Sequence, residues 1–535
     1  MLTLKGGSRP PWVGLGASVW VQIASGNTFT FPLYSHSLKS VLGFNQRQIT
    51  LLGVANDIGE NVGLLPGIAC NRFPPWLILS VGAFASLVGY GILWLAVTQT
   101  LPNLPYLLLW FALVIASNSS AWLTTSVLVT NMRNFPVSRG KVAGILKGYG
   151  GLSAAVFTQI YSLLLHNDSS KFLMLLTIGI PVVCFSMMFL VRPCTPALDE
   201  DSTSSSHFIF IQCASVILGV YLLATTIFGN LIILSDSEQP LGSSDSLGQG
   251  KDDKIEPLLG SSSTGALGSS NDDDSSEVAM LLAIGEGAIK QKKRKPKRGE
   301  DFKFTEAIVK ADFWLLFFVY FVGVGTGVTV LNNLAQIGIA QGEEDTTTLL
   351  SIFSFCNFVG RLGGGVVSEH FVRTKLLPRT FWLTCTQTIM ILVYLLFAFA
   401  VNGSLYPAVA FLGVCYGVQV SIMIPTVSEL FGLKNFGVLG NVMSLGNPLG
   451  ATIFSALLAG SIYDKEAAKQ HGLNLLAAEA SCIGADCFKL TFFILSGVCA
   501  AGIFLSVILT LRIRPVYQML YAGGSFRIPQ PSPST

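Results

Sequence analysis

SIFSFCNFVGRLGGGVVSEHFVRTK, residues 351–375, is an apolar run that carries a lone arginine, Arg361, four glycines within six positions and a short charged exit. At 1.5 Å per residue such a run is long enough, as a helix, to cross roughly 30 Å of hydrocarbon. A charge inside a bilayer costs roughly 3 kcal/mol or more, so an arginine kept there marks a site. Arg361 lies about ten residues from the expected inner end, roughly one third to one half of the way through at 1.5 Å per residue.

The rest of the chain has the same character. Its 535 residues are 51% hydrophobic and only 12% charged, with a mean hydropathy of +0.60. That balance describes an all-α membrane protein that crosses the bilayer many times. The net charge of +3 is too small to suggest a nucleic-acid partner. Apolar runs of span length fall at 12–34, 49–70, 75–98, 106–129, 142–165 and 172–191, and again at 313–336, 348–371, 381–401, 406–431, 437–462 and 488–511. This gives two sets of six, expected as bundles over 1–192 and 306–511, with a tail over 512–535. The N-terminus leads straight into the first long span, so no removable signal peptide is expected.

Residues 193–305 separate the sets. They hold a Ser/Gly/Asp-rich tract over 235–276 and the basic run KQKKRKPKR at 290–298, a composition expected to stay disordered. With the N-terminus inside, the inner loops and tails hold fourteen Lys/Arg and the outer loops six, the linker left aside. N-terminus, linker and C-terminus are therefore expected in the cytoplasm. Cys482 and Cys487 fall outside, either as a disulfide or as two free thiols. One segment breaks the parity. Residues 208–233 have no charge and are long enough to span, yet a thirteenth crossing would invert the second half, so a peripheral or incompletely inserted helix is expected there.

Two stretches repeat a pattern. NDIGENVGLLPGIACNRF (56–73) and NFVGRLGGGVVSEHF (357–371) each run Asn-x-x-Gly-charge, then glycines, then a short polar turn. Six plus six spans around a long linker, with this repeat, resemble the major facilitator superfamily. The segments at 12–35, 139–161, 310–338, 425–441, 487–502 and 512–527 narrow the resemblance to the plant nodulin-like (nuclear-fusion-defective type) branch, over nearly the whole chain. That resemblance implies the major facilitator fold, a multi-pass membrane location and a gating loop formed by Arg72, Glu369 and Arg373. Related chains carry a second apolar segment after the one matching 208–233, and this chain does not. An arginine at the place of Arg361 is similar to the substrate-anion arginine of monocarboxylate carriers and oxalate/formate exchangers.

The candidate site follows from charge. Guanidinium suits planar, bidentate binding of a carboxylate, so Arg361 reads as a substrate group, with an internal salt bridge as the alternative. Asn357, Asn332, Asn333 and Lys147 are its expected companions. Lys147 alternatively snorkels to the surface, and the amides alternatively only join helices. Asp57 and Glu60 lie three residues apart on one helix face, either as proton-coupling groups or as fixed partners of Lys147 or Arg361. EVAMLL, with Glu277, Leu281 and Leu282, has the form of an acidic dileucine sorting signal for a vacuolar or other endomembrane location, against the plasma membrane. No phosphate-cradling loop and no Cys/His set with metal spacing is present in the sequence, so neither an enzyme nor a cofactor is expected. The expectation is a monomeric secondary carrier, in contact with lipid, for a small solute such as a carboxylate. The rival is a non-transporting receptor or scaffold that signals through the linker.

Overall fold

The structure, a computed structural model, describes residues 11–44, 46–101, 104–166, 168–194, 202–237, 299–343, 346–401, 403–471 and 482–521. The basic run, the sorting motif and nearly all of the low-complexity tract lie outside the described residues.

In the first half, α1 (Pro11–Ala24) continues through a 3₁₀ stretch, Ser25–Thr30, into α2 (Phe31–Leu42). Next come α3 (Gln46–Asn61), α4 (Leu64–Ala69), α5 (Pro75–Val97) and α6 (Tyr106–Asn134). The half closes with α7 (Arg139–Gln159), extended by a π turn at Ile160–Leu164, and α8 (Ser169–Met187). A long helix, α9 (Ser202–Ser237), follows. The second half begins with a short helix, α10 (Phe304–Ala307), then α11 (Ala311–Asn332) and α12 (Leu334–Ala340). It continues with α13 (Thr346–Lys375), α14 (Thr380–Phe399) and α15 (Leu405–Phe431). The eleventh span is built from α16 (Phe436–Ser444), α17 (Gly446–Gly450), a π segment at Ala451–Ala459 and α18 (Gly460–His471), and α19 (Asp486–Leu520) is the last.

Among the described residues ten helices are long and apolar enough to cross a membrane. The expected first, second and fifth spans are not among them, and the reason is local. Backbone groups in hydrocarbon must be bonded internally, so a break survives only where protein supplies partners. At the 3₁₀ stretch, Ser25 and Thr30 hydroxyls donate to the carbonyls of Gln22 and Asn27 (2.8 and 2.6 Å), and Asn27 Nδ2 reaches Ser119 Oγ on α6 (2.9 Å). Between α3 and α4, Asn118 Nδ2 on α6 donates to the carbonyls of Gly59 and Val62, both at 2.9 Å. Gly63 leaves room at that break for the Asn441 side chain, which a Cβ there would meet at 2.5 Å. The fifth span is instead rich in glycine and carries Lys141 and Lys147.

The halves meet along two seams of small residues. On α7 and α13, a Cβ on Gly365 would run into the Gly140 carbonyl, and one on Gly144 would meet the Arg361 carbonyl at 2.9 Å. On α4 and α16, a Cβ on Gly67 would meet the Gly437 carbonyl at 2.6 Å. Close approach of this kind is how helices associate in lipid, where burial of apolar surface supplies little. Gly360 and Gly364 pack α13 against α15 in the same way, whereas Gly363 meets nothing within 4 Å.

The helix α9, expected as a peripheral or incompletely inserted helix, seats one stripe on the bundle and leaves most of its described side chains exposed, and residues 206–225 are among the ten segments of span length. Its Phe208 ring packs on Trp12 and Phe135 at 4.6 and 5.7 Å, and Ser215 Oγ donates to the Tyr149 hydroxyl at 2.8 Å. In the loop before the last helix, Cys482 and Cys487 form a disulfide, and Gln470 bonds the main chain of Ile483 in both directions (2.7 and 3.0 Å) to hold that loop.

Asn71 Nδ2 donates to Asn435 Oδ1 at 3.2 Å, joining the inner loops of the two halves. Asn71→Cys together with Asn435→Cys should therefore cross-link through a short bifunctional thiol reagent. The check is a shift in electrophoretic mobility after cleavage within residues 238–298. Failure to cross-link would contradict the closed inner face.

Candidate functional site

At the centre, α13 presents Arg361. Asn357, one turn before it, accepts from Nε at 3.0 Å, and the Lys147 carbonyl of α7 accepts from Nη1 at 2.9 Å. Arg361 is 7% exposed. A guanidinium has five N–H donors, so these two bonds leave three unengaged among the described residues. Glu60 of α3 lies within electrostatic reach of Lys147, Arg361 and Asp57. Tyr320 of α11 and Tyr416 of α15 both feel Arg361 and Glu60. Among the described residues, none of Asp57, Glu60, Lys147 and Arg361 makes an ion pair within 4 Å. Two carboxylates and two cations, from both halves, thus share one space without neutralising each other directly.

Below this group a small cavity is lined by Thr124, Thr125, Lys147, Asn441 and Ser444. Gln22 Nε2 donates to Thr124 Oγ1 at 3.3 Å, and Asn441 Nδ2 to Thr125 Oγ1 at 3.1 Å, the latter across the halves. The snorkelling reading of Lys147 does not hold. The helix α7 begins at Arg139, which places Lys147 two turns inside, facing this cavity.

The inner end is closed by a buried charge cluster. Arg379 is wholly buried, and its Nε and Nη2 donate to Glu429 at 2.9 and 2.8 Å. Its Nη2 also reaches Glu369, its Nη1 the Ser368 hydroxyl at 2.9 Å, and the Tyr521 hydroxyl donates to Glu429 at 2.7 Å. The first half joins the cluster through α7. The main-chain N–H of Gly140 donates to Glu369 Oε2 at 3.0 Å, and Arg139 Nη1 to the Ser428 carbonyl at 3.2 Å. Arg373 bonds Glu369 at 3.0 Å and the Val137 carbonyl at 2.6 Å. On the other seam, Arg133 donates to Asn71 Oδ1 (3.0 Å) and to the Lys434 carbonyl (3.3 Å). Among the described hydrogen bonds, those joining the halves run from the level of Arg361 to this end.

The expected site residues divide accordingly. Asn357, Lys147 and Glu60 gather around Arg361, Asp57 is exposed one turn before Glu60, and Glu369 and Arg373 sit in the inner closure. Two amides do not join the centre: Asn333 bonds Ser455 Oγ (2.9 Å) and the Thr329 carbonyl (2.7 Å), and Asn332 is exposed. Thirteen residues separate Asn333 from Tyr320, about 20 Å along a helix, so Asn333 joins helices far from the site. Arg72 is exposed at the inner turn, where Arg133 makes the contacts instead. Arg379, Glu429, Arg139 and Tyr521 were not singled out from the sequence. One signal for the pair existed: Ser-Glu-x-Phe occurs at 368–371 and again at 428–431, at the inner ends of two spans.

Comparison with known proteins agrees with this architecture. Residues 11–243 match the nodulin-like family, and residues 300–519 match the NFD4 C-terminal domain. The chain is 28% identical to NUCLEAR FUSION DEFECTIVE 4 of Arabidopsis thaliana over 532 residues, 95% of this chain and 90% of that relative. It is 25% identical to the uncharacterized MFS-type transporter YhjX of Escherichia coli (strain K12), over 28% of this chain and 38% of that one. Among solved structures it resembles the proton:xylose symporter XylE bound to 6-bromo-6-deoxy-D-glucose, with a TM-score of 0.55 at 10% identity, covering 92% of this chain and 94% of that one. At that identity the likeness speaks for the fold alone.

Removing one member of a buried ionic cluster leaves the others uncompensated, at a cost of about 3–5 kcal/mol. Arg379→Met, which strands Glu369 and Glu429, should lower the thermal unfolding midpoint in detergent by several degrees. An unchanged midpoint would show that the cluster does not hold the inner end.

Proposed function

The chain belongs to the nodulin-like branch of the major facilitator superfamily, and from that premise we propose that it is a secondary carrier for a small organic anion, working by alternating access. The fold is that of a multi-pass membrane transporter in contact with lipid. The proposal adds the class of solute, its partner and the coupling. One observation carries it: among the described residues Arg361 is buried at the junction of the halves with three N–H donors unengaged and no ion pair within 4 Å. A buried cation without a direct ion-pair partner is costly, and an anionic solute accepting those donors would offset that cost. Planar carboxylate oxygens match the guanidinium fork, and Tyr320 and Tyr416 stand near enough to add to the site.

Formal charge gives the coupling. With Asp57 and Glu60 ionised and Lys147 and Arg361 protonated, the group is neutral. A proton taken up by Glu60 makes it +1, which favours an anion, and loss of that proton favours release. Uptake of anion and proton on the same side then yields symport. We place the carrier as a monomer in a vacuolar or other endomembrane, the location that the Glu277–Leu282 motif favours over the plasma membrane.

Charge-assisted hydrogen bonds contribute about 1.5–3 kcal/mol each. Arg361→Ala should therefore lower uptake of a transported carboxylate into proteoliposomes by roughly 30-fold or more, with the protein incorporated normally. Equal uptake by the variant would remove Arg361 from the site, and no flux for any organic anion, together with linker-dependent partner binding, would favour the receptor reading. Glu60→Gln should abolish the stimulation of uptake by an inward proton gradient while carboxylate exchange without a gradient continues. Retained stimulation would exclude Glu60 as the coupling group.

A further inference from the structure

We propose that α9 is a strap across the seam between the halves, holding the inner face closed. The inference rests on the alternating-access reading above. The helix buries one face, Phe208, Ser215 and Leu222, with Ile211 partly covered, at the i, i+3, i+4 and i+7 spacings of a single stripe. Its neighbouring residues Ile209, Phe210, Ile217, Val220 and Tyr221 are exposed.

That stripe touches both halves. Toward the first half, Lys141 Nζ stands 5.4 Å over the Phe208 ring, Trp12 and Phe135 pack on the same ring, and Ser215 Oγ bonds the Tyr149 hydroxyl. Toward the second half, a Cβ on Gly219 would lie 2.8 Å from Phe358 and 3.3 Å from Phe355, so the two α13 rings reach α9 at this glycine. A Cβ on Gly148 of α7 would in turn lie 3.4 Å from the Phe358 ring. The strap therefore crosses α7 and α13 next to the contacts at Gly144 and Arg361.

Opening the inner face must part α7 from α13. As they part, the stripe cannot stay seated on both, so either the Ser215–Tyr149 bond or the Gly219–Phe358 contact is lost. In apolar surroundings this bond also fixes register, because a slip of α9 takes Ser215 away from the Tyr149 hydroxyl while Ser215 keeps its bond to the Ile211 carbonyl of its own helix. The strap thus gives the closed state one contact that the open state lacks, which is the differential interaction that a population shift needs.

The test uses the full chain with Cys194, Cys213, Cys356 and Cys385 replaced by serine and the reporter pair Asn71→Cys and Asn435→Cys. The rate of cross-linking reports the closed fraction. Ser215→Val removes the hydroxyl and Gly219→Trp wedges α9 from α13, and Glu369→Gln serves as a gate control. The strap predicts that each α9 variant slows cross-linking about five-fold, the factor that one ordinary hydrogen bond supplies. If Glu369→Gln slows the reaction and both α9 variants leave it unchanged, the strap is overturned while alternating access stands. If the gate control also changes nothing, the halves do not part and both readings fall.

Discussion

Positive charge held in a low-dielectric interior must find a partner, and the two buried arginines of α13 and its exit loop meet that demand in opposite ways. Arg379 is wholly buried and shared between two glutamates, a serine and a tyrosine. Arg361 is nearly as buried and has an amide and a carbonyl. A buried ionic cluster contributes little net stability but is expensive to break. The cluster at Arg379 therefore suits a closure that either holds as a unit or releases as one. The open valences of Arg361 suit a position that is completed by something else.

Geometry connects the two. The helix α7 supplies the Gly140 N–H and the Val137 carbonyl region to the closure, and eight residues from its start supplies the Lys147 carbonyl to Arg361. The helix α13 carries both Arg361 and Glu369. A shift of α7 relative to α13 therefore alters the centre and the closure together. Glycines at 140, 144 and 365 let the two backbones approach closely enough for these main-chain groups to serve as partners, and a single Cβ at Gly365 would separate them.

Much of this could be read in the sequence, and the reasons for the remainder are physical. Twelve apolar runs and the isolated Arg361 are legible because hydrocarbon penalises charge and unpaired backbone residue by residue. Glu60 and Lys147 follow by the same rule. Arg379 and Glu429 were not legible, because charges at the ends of spans ordinarily meet water and nothing local says that these two are buried against each other. The breaks in the first two spans were hidden too, since the amides that satisfy them, Asn27 and Asn118, act at distances of 92 and 59 residues along the chain. Asn333 misled because an amide near a span end looks the same whether it faces a cavity or, as here, Ser455. The seat of α9 depends on contacts with residues far along the chain, Phe208 on Trp12 and Phe135 and Ser215 on Tyr149, which the segment's own composition does not name.

The pairing state of Arg361 with and without solute is the most direct measure of the whole account. A cryo-electron microscopy map of the chain in lipid nanodiscs, with a carboxylate chosen by its thermal stabilisation of the protein, would show it. The account predicts density for the anion on the guanidinium between Tyr320 and Tyr416, with the bonds to Asn357 and Lys147 retained. A guanidinium paired to Glu60 or Asp57 both with and without the carboxylate, and no density beside it, would contradict the account.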